Sequence, residues 1–167
     1  MTDERTDPRH DGDERTTLRE FLDLQRATVA WKVAGLDTES ASRRFVPSKT
    51  TLLGLVKHLV DVERHWFVNV FAGEPDPPIY WERDGVFDSE FDLDDHDRLD
   101  EIVDRYRQMC ARSRAIESAA GSLDQRCAST SHDVTLRWIM VHMIEETARH
   151  AGHADLLREL TDGSVGE

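Results

Sequence analysis

Glu146 and His150 have the clearest chemical spacing in the chain. They stand four apart in TLRWIMVHMIEETARHAGHADLLREL, where Leu136, Ile139, Met140, Met143, Ile144, Thr147, Ala151 and Leu157 form one stripe at about 100° per residue. His150 falls inside that stripe and Glu146 at its edge. A carboxylate turned toward a core is costly unless it is paired or bound to a cation. The pair therefore reads as half of a divalent-metal site, with the remainder due from another helix. His142 also lies four residues from Glu146, but about 12 Å of rise separates it from His150, so the two cannot share one ion. His153 is about 10 Å along the axis from Glu146. Upstream, LLGLVKHLVDVERHWF offers His58, His65 and Glu63, and spacing alone does not choose among them. The competing reading is a metal-free network of glutamate with histidine or Arg149.

Helices must carry these residues. Thr17 to Glu20 has the T-x-x-E form of a capping box, and Leu18, Phe21, Leu22, Val29, Val33 and Leu36 follow at helical spacing. A second helix is expected from about Thr51 to Phe71, a third from about Arg98 to Ala120 and a fourth from about Thr135 to Leu160. Between the second and third, AGEPDPPIYWERDGVFDSEFDLDDHD is too rich in proline and glycine for a long helix, and any strands should be confined to it. It is also longer than a hairpin between antiparallel helices needs. The expectation is an all-α four-helix bundle with a long crossover, the second and third helices parallel, in up-down-down-up order. Residues 1–14 read as a mobile acidic tail, 15–162 as the bundle and 163–167 as a flexible end.

The chain has 167 residues, enough for one domain with its own core. Lys plus Arg number 21 against 34 Asp plus Glu, a net charge of -13. That balance argues against nucleic acid and against an anionic membrane surface as partners. No apolar run reaches the roughly 20 residues of a membrane span, and the start, MTDERTDPRHDGDER, is no secretory signal, so a cytoplasmic protein is expected. Cys110 and Cys127 then read as free thiols, Cys110 buried. The acid-rich run from Asp88 to Asp104 reads as a solvated crossover and an acidic helix start. Trp31, Trp66, Trp81 and Trp138 read as core or interface, and His10, His96 and His132 as tail or surface residues.

LLGLVKHLVDVERHWF and HMIEETARHAGHADLLRE together resemble the DinB-like superfamily, and more closely its actinobacterial mini-circle branch. The resemblance covers about Leu18 to Leu160. It implies a divalent metal, zinc or nickel, held by one histidine of the second helix and an (H/E)-x-x-x-H pair of the fourth: His58, Glu146 and His150. Glutamate at the first position of that pair resembles the mycothiol-dependent maleylpyruvate isomerases. The chain's length leaves no room for their additional C-terminal domain, which argues against isomerisation itself. Where relatives end the motif H-R-G-Q, this chain has His150-Ala151-Gly152-His153.

What the resemblance implies for function is a transferase whose low-molecular-weight thiol, mycothiol or bacillithiol, is deprotonated at the metal and attacks a small electrophile. His153 or His65 would assist proton transfer. A metal-water hydrolase, a non-haem iron enzyme and a non-catalytic, stress-related metal-binding bundle are the alternatives. Related bundles often pair, so a homodimer is expected.

Overall fold

The computed structural model describes residues 5–83 and 85–166. The outermost parts of the two expected tails, 1–4 and 167, lie outside those residues. The chain is built from α-helices joined by loops. Helix α1 (Glu14–Lys32) starts ahead of Thr17, because Asp13 caps it by accepting the Thr16 amide. Glu20 is not free to close a capping box, since its carboxylate holds the Arg9 amide at 2.8 Å and Arg9 Nε at 2.7 Å. A four-residue helix, α2 (Thr38–Ala41), follows, and Asp37 caps it by accepting the Ser40 amide.

Thr51 caps α3 (Leu52–Glu63) by accepting the Gly54 amide at 3.0 Å. The helix then widens into a π-helical stretch, Arg64–Phe71, closed by the Ala72 amide donating to Phe67 O. Such widened turns are frequent at functional sites. The crossover holds a two-stranded antiparallel ribbon of β1 (Glu82–Arg83) and β2 (Val86–Phe87), with Glu82 opposite Phe87. A 3-10 turn, Ser89–Phe91, precedes α4 (Leu99–Ala119). Thr135 caps α5 (Leu136–Asp162), which ends at Gly163, where φ of 79° suits a residue without a β-carbon.

Helix α1 lies against α5, and α3 lies against both α4 and α5. The starts of α1 and α5 are tied by Arg137 to Glu14 at 2.6 Å and their later parts by Lys32 to Asp155. Helices α1 and α4 are tied by Arg15 and Arg19 to Glu117 and by Arg114 to Asp23. Leu22, Val29, Leu55, Leu59, Phe67, Ile102, Tyr106, Met140 and Met143 are among the core side chains.

Helix α3 is the central element, buried at every position except His58. A helix apolar all round is expected in such a place, yet α3 brings in three charges. Lys57 pairs with Asp97 at 2.9 Å, Asp61 with Arg64 at 2.7 Å, and Glu63 with Arg26 at 2.7 Å. The acid-rich run is thus not only a solvated stretch. Glu90 is buried, and Asp97 is the partner of a fully buried lysine, because the apolar helix beneath has charges to satisfy.

Candidate metal centre

His58 is the point at which α3 opens toward α5. Its Nε2 lies 3.3 Å from Glu146 Oε1, and His150 Nε2 lies 3.2 Å from the same oxygen. The four-residue spacing on α5 stacks Glu146 and His150 one turn apart, and the contact with α3 supplies the third group. Taking one ligand atom from each residue, all three lie within 4.8 Å of one another. Among the described residues no other group of His, Cys, Asp or Glu converges in this way.

The second nitrogen of each imidazole is also occupied. His58 Nδ1 is 2.9 Å from Oε1 of Glu90, and His150 Nδ1 is 3.4 Å from Nδ1 of His153. His58 Nδ1 thus faces outward, toward Glu90 and the crossover, and leaves Nε2 as the inward-facing nitrogen. Two imidazole nitrogens and a carboxylate oxygen then face one another at contacts that N–H donation from the rings or a bound cation makes favourable. In the metal-free protein protons on the rings fill that role. Burial lowers the affinity of His58 for it, but hydrogen bonds to Glu146 and Glu90 outweigh burial and raise the pKa to about 9. The Glu146 carboxyl is held far below its ordinary range by its bonds to His150 and His58, against a smaller effect of burial.

Asp61 places the crossover over this site. Its side chain is fully buried and accepts the amides of Ile79 at 2.9 Å, Tyr80 at 2.5 Å and Trp81 at 2.9 Å. That anchor sets the Trp81 indole Nε1 3.2 Å from His58 Nδ1. Farther along, Phe91 stacks on the His58 ring, with centroids 5.7 Å apart at 26°. The close approach needs Gly54, since a β-carbon there would meet Phe91 Cδ1 at 2.8 Å. Sequence reasoning missed Glu90, Asp61, Trp81 and Phe91 as parts of the site. The one signal was Asp61 itself, a carboxylate three residues from His58 in a helix too apolar to leave it unpaired.

The other candidates fall elsewhere. Glu63 faces away and grips Arg26 through both oxygens, each at 2.7 Å. His142 stacks on Trp138, with centroids 5.1 Å apart, instead of turning to Glu146. His153 is exposed and touches His150; burial first, and the neighbouring His150 next, push its pKa down. His65 packs among the rings of Trp66, Trp81 and His132, and burial followed by His132 lowers its pKa. His132 is no bare surface residue, since its ring lies 5.6 Å from Trp66 and its Nδ1 is buried.

Both cysteines are free thiols. No helix among the described residues is long and apolar enough to cross a membrane. No curated protein matches the sequence. The family model described as Mycothiol-S-transferase, a family of DinB-like type, matches residues 17–163 and so takes in every residue of the trio. The chain belongs to the mycothiol-S-transferase family.

Proposed function

We propose that this protein is a cytoplasmic, metal-dependent transferase that joins a mycothiol-type thiol to a small electrophile. Residues 15–162 would form an up-down-down-up four-helix bundle, closest in kinship to the mini-circle branch. The observation that carries the reading is the shared oxygen: Glu146 Oε1 lies within hydrogen-bond range of an imidazole nitrogen from each of two helices. The residues fit a divalent ion. His58, Glu146 and His150 supply the mixed nitrogen and oxygen set that zinc or nickel accepts, and three protein ligands leave a position for substrate. The ion's chemistry, when bound, is to stabilise a thiolate near neutral pH.

The chain's own groups do the rest. Glu90 and His153 orient the two ligand histidines through their outer nitrogens, as metal-binding imidazoles generally require. His153, exposed, with its pKa pushed down by burial and by His150, is the proton acceptor that lies against the trio. His65, which meets the Trp81 ring, is the second candidate for that role. Trp81 and Phe91 shield His58 from bulk water. The thiol loses its proton, its sulfur forms a bond to the electrophilic carbon, and any leaving group departs with the electron pair of the broken bond. The same reading includes a homodimer, for which Leu156 and Leu160, both exposed on one face of α5, are available. Sedimentation at twice the 19.2 kDa chain mass is expected; a single species at that mass would refute pairing.

The test is a thiol titration of the cobalt-substituted protein. Mycothiol should produce a sulfur-to-cobalt charge-transfer band with a one-to-one end point and release about one proton per site. His58→Ala and Glu146→Ala should each abolish the band by losing the metal while keeping a helical far-ultraviolet spectrum. A silent spectrum in the loaded wild type sinks the transferase reading. Full metal retention by both variants sinks the ligand assignment.

A further inference from the structure

The helices leave one side open. Helix α1 rests on α5, and α4 rests on α3, but α1 and α4 are joined across the remaining side by long side chains, Arg15 and Arg19 to Glu117 and Arg114 to Asp23. Between those two helices lies a cavity of about 710 Å³, within the roughly 300–1,000 Å³ of small-molecule sites. None of His58, Glu146 and His150 lines it, and the reaction proposed above makes no use of it. Leu24, Ala27 and Ala30 form its α1 wall, where two alanines leave the space that larger side chains would fill. Tyr106 and Cys110 of α4, both buried, line the opposite side.

The charges around this cavity cancel. Arg26 holds Glu63 through both oxygens at 2.7 Å and Asp23 at 2.9 Å, Asp23 also holds Arg114 at 2.8 Å, and Arg9 holds Glu20 at 2.7 Å. Asp7 and Arg107 add one charge of each sign. A charged ligand would lose its hydration here with no opposite charge left over to receive it. The unmet group is a neutral one. The Tyr106 hydroxyl is buried and has no hydrogen-bond partner of good geometry among the described residues, with the Cys110 thiol as its polar neighbour. Burial keeps its pKa well above the ordinary value, so it remains an O–H donor. An unsatisfied buried hydroxyl is costly, and an acceptor oxygen brought beside it recovers that cost.

We propose that the cavity between α1 and α4 is a second ligand site, for an uncharged and largely aliphatic carbonyl compound such as a carboxamide. The carbonyl oxygen accepts the Tyr106 O–H, and the hydrocarbon part lies along Leu24, Ala27 and Ala30. Entry is past the segment ahead of α1, whose Arg9 closes the rim through a solvent-exposed pair with Glu20, a weak kind of contact. The site does not rest on the thiol-transfer reading. It shares no residue with the trio, and the two are linked through α3, which sets Glu63 beneath Arg26 and His58 toward α5.

The test is calorimetric titration of octanamide, octanoate and octylamine into the metal-free and the metal-loaded protein. Octanamide should bind one-to-one, equally well to both forms, and about tenfold more tightly than either charged analogue. Tyr106→Phe should weaken its binding about fivefold. Without ligand that variant should melt no lower than the wild type, since the hydroxyl it removes has no partner. Ala27→Leu, which fills the wall, should abolish octanamide binding and leave metal affinity unchanged. No saturable binding of octanamide, equal or tighter binding of a charged analogue, or an unchanged affinity in Tyr106→Phe overturns the proposal. So does a lower melting temperature of ligand-free Tyr106→Phe, which would give the hydroxyl a structural partner. Undiminished binding to Ala27→Leu would place the amide elsewhere, and binding that depends on the metal would make it a ligand of the ion; either result also overturns the proposal.

Discussion

At the scale of single residues the candidate site is governed by what sits behind each member of the trio. Glu90 is buried, bonded through one oxygen to His58, and its other oxygen has no hydrogen-bond partner among the described residues. Glu90→Gln should therefore keep the fold but let the His58 ring choose the wrong tautomer. The expected result is about a 10- to 100-fold loss of metal affinity by competition with a chelator; an unchanged affinity would show that Glu90 does not orient the ring. The proton on His58 also has a consequence of definite sign. The pKa is raised from 6.5 to about 9, so the metal-free protein is stabilised fully below about pH 6.5 and loses that stabilisation as the pH rises through about 9. Its Tm should fall over that window. A bound metal displaces the proton, so the loaded protein should lack this fall, and its apparent affinity should climb by up to about tenfold per pH unit and level off near pH 9. An affinity independent of pH between 6 and 9 would contradict this.

At the scale of elements, α3 is the scaffold and the crossover is the cover. Asp61 joins them by accepting three successive amides as well as Arg64 Nε. Asp61→Asn removes the charge and leaves an amide group that must donate where three donors already converge. Loss of a buried, hydrogen-bonded charge of this kind costs about 3–5 kcal/mol. The variant should melt at a lower temperature, and limited proteolysis should cut it within residues 79–90 under conditions where the wild type resists. Equal resistance in both would mean that the ribbon and the 3-10 turn hold themselves in place. The π-helical stretch belongs to this scale too. It widens the helix at His65 and Trp66, whose rings meet edge to face at 5.2 Å between centroids.

At the scale of the whole molecule, two buried networks divide the interior. One is the trio between α3 and α5. The other, between α1, α3 and α4, couples Arg26 to Glu63 and places Cys110 beside them. Burial first, and the Glu63 carboxylate next, push the Cys110 thiol well above its ordinary range. Native protein should therefore consume about one equivalent of iodoacetamide at pH 8, at Cys127, and a second only after unfolding. Modification of Cys110 at the same rate as Cys127 would show that this interior opens readily. Since the two networks share only α3, disrupting the Arg26 pair should lower stability without displacing metal until the protein unfolds.

The sequence by itself determined the helices and the local half of the site. Apolar periodicity marked the long helical stretches to within a few residues, since each needed one stripe to bury. The spacing of Glu146 and His150 places them on one face of any helix that contains them. It could not choose among His58, His65 and Glu63, because all three lie near the same apolar face and differ only in what lies opposite. Tertiary structure decided that by facing His58 with α5, Glu63 with Arg26, and His65 with Trp66 and Trp81. It also decided that Glu90, one acid within a long acidic run, is the one against His58. Periodicity has no purchase on a segment without regular structure, and the amides that Asp61 collects lie 18 to 20 residues away in sequence. Partners so far apart in the chain meet only once the crossover has folded back over α3.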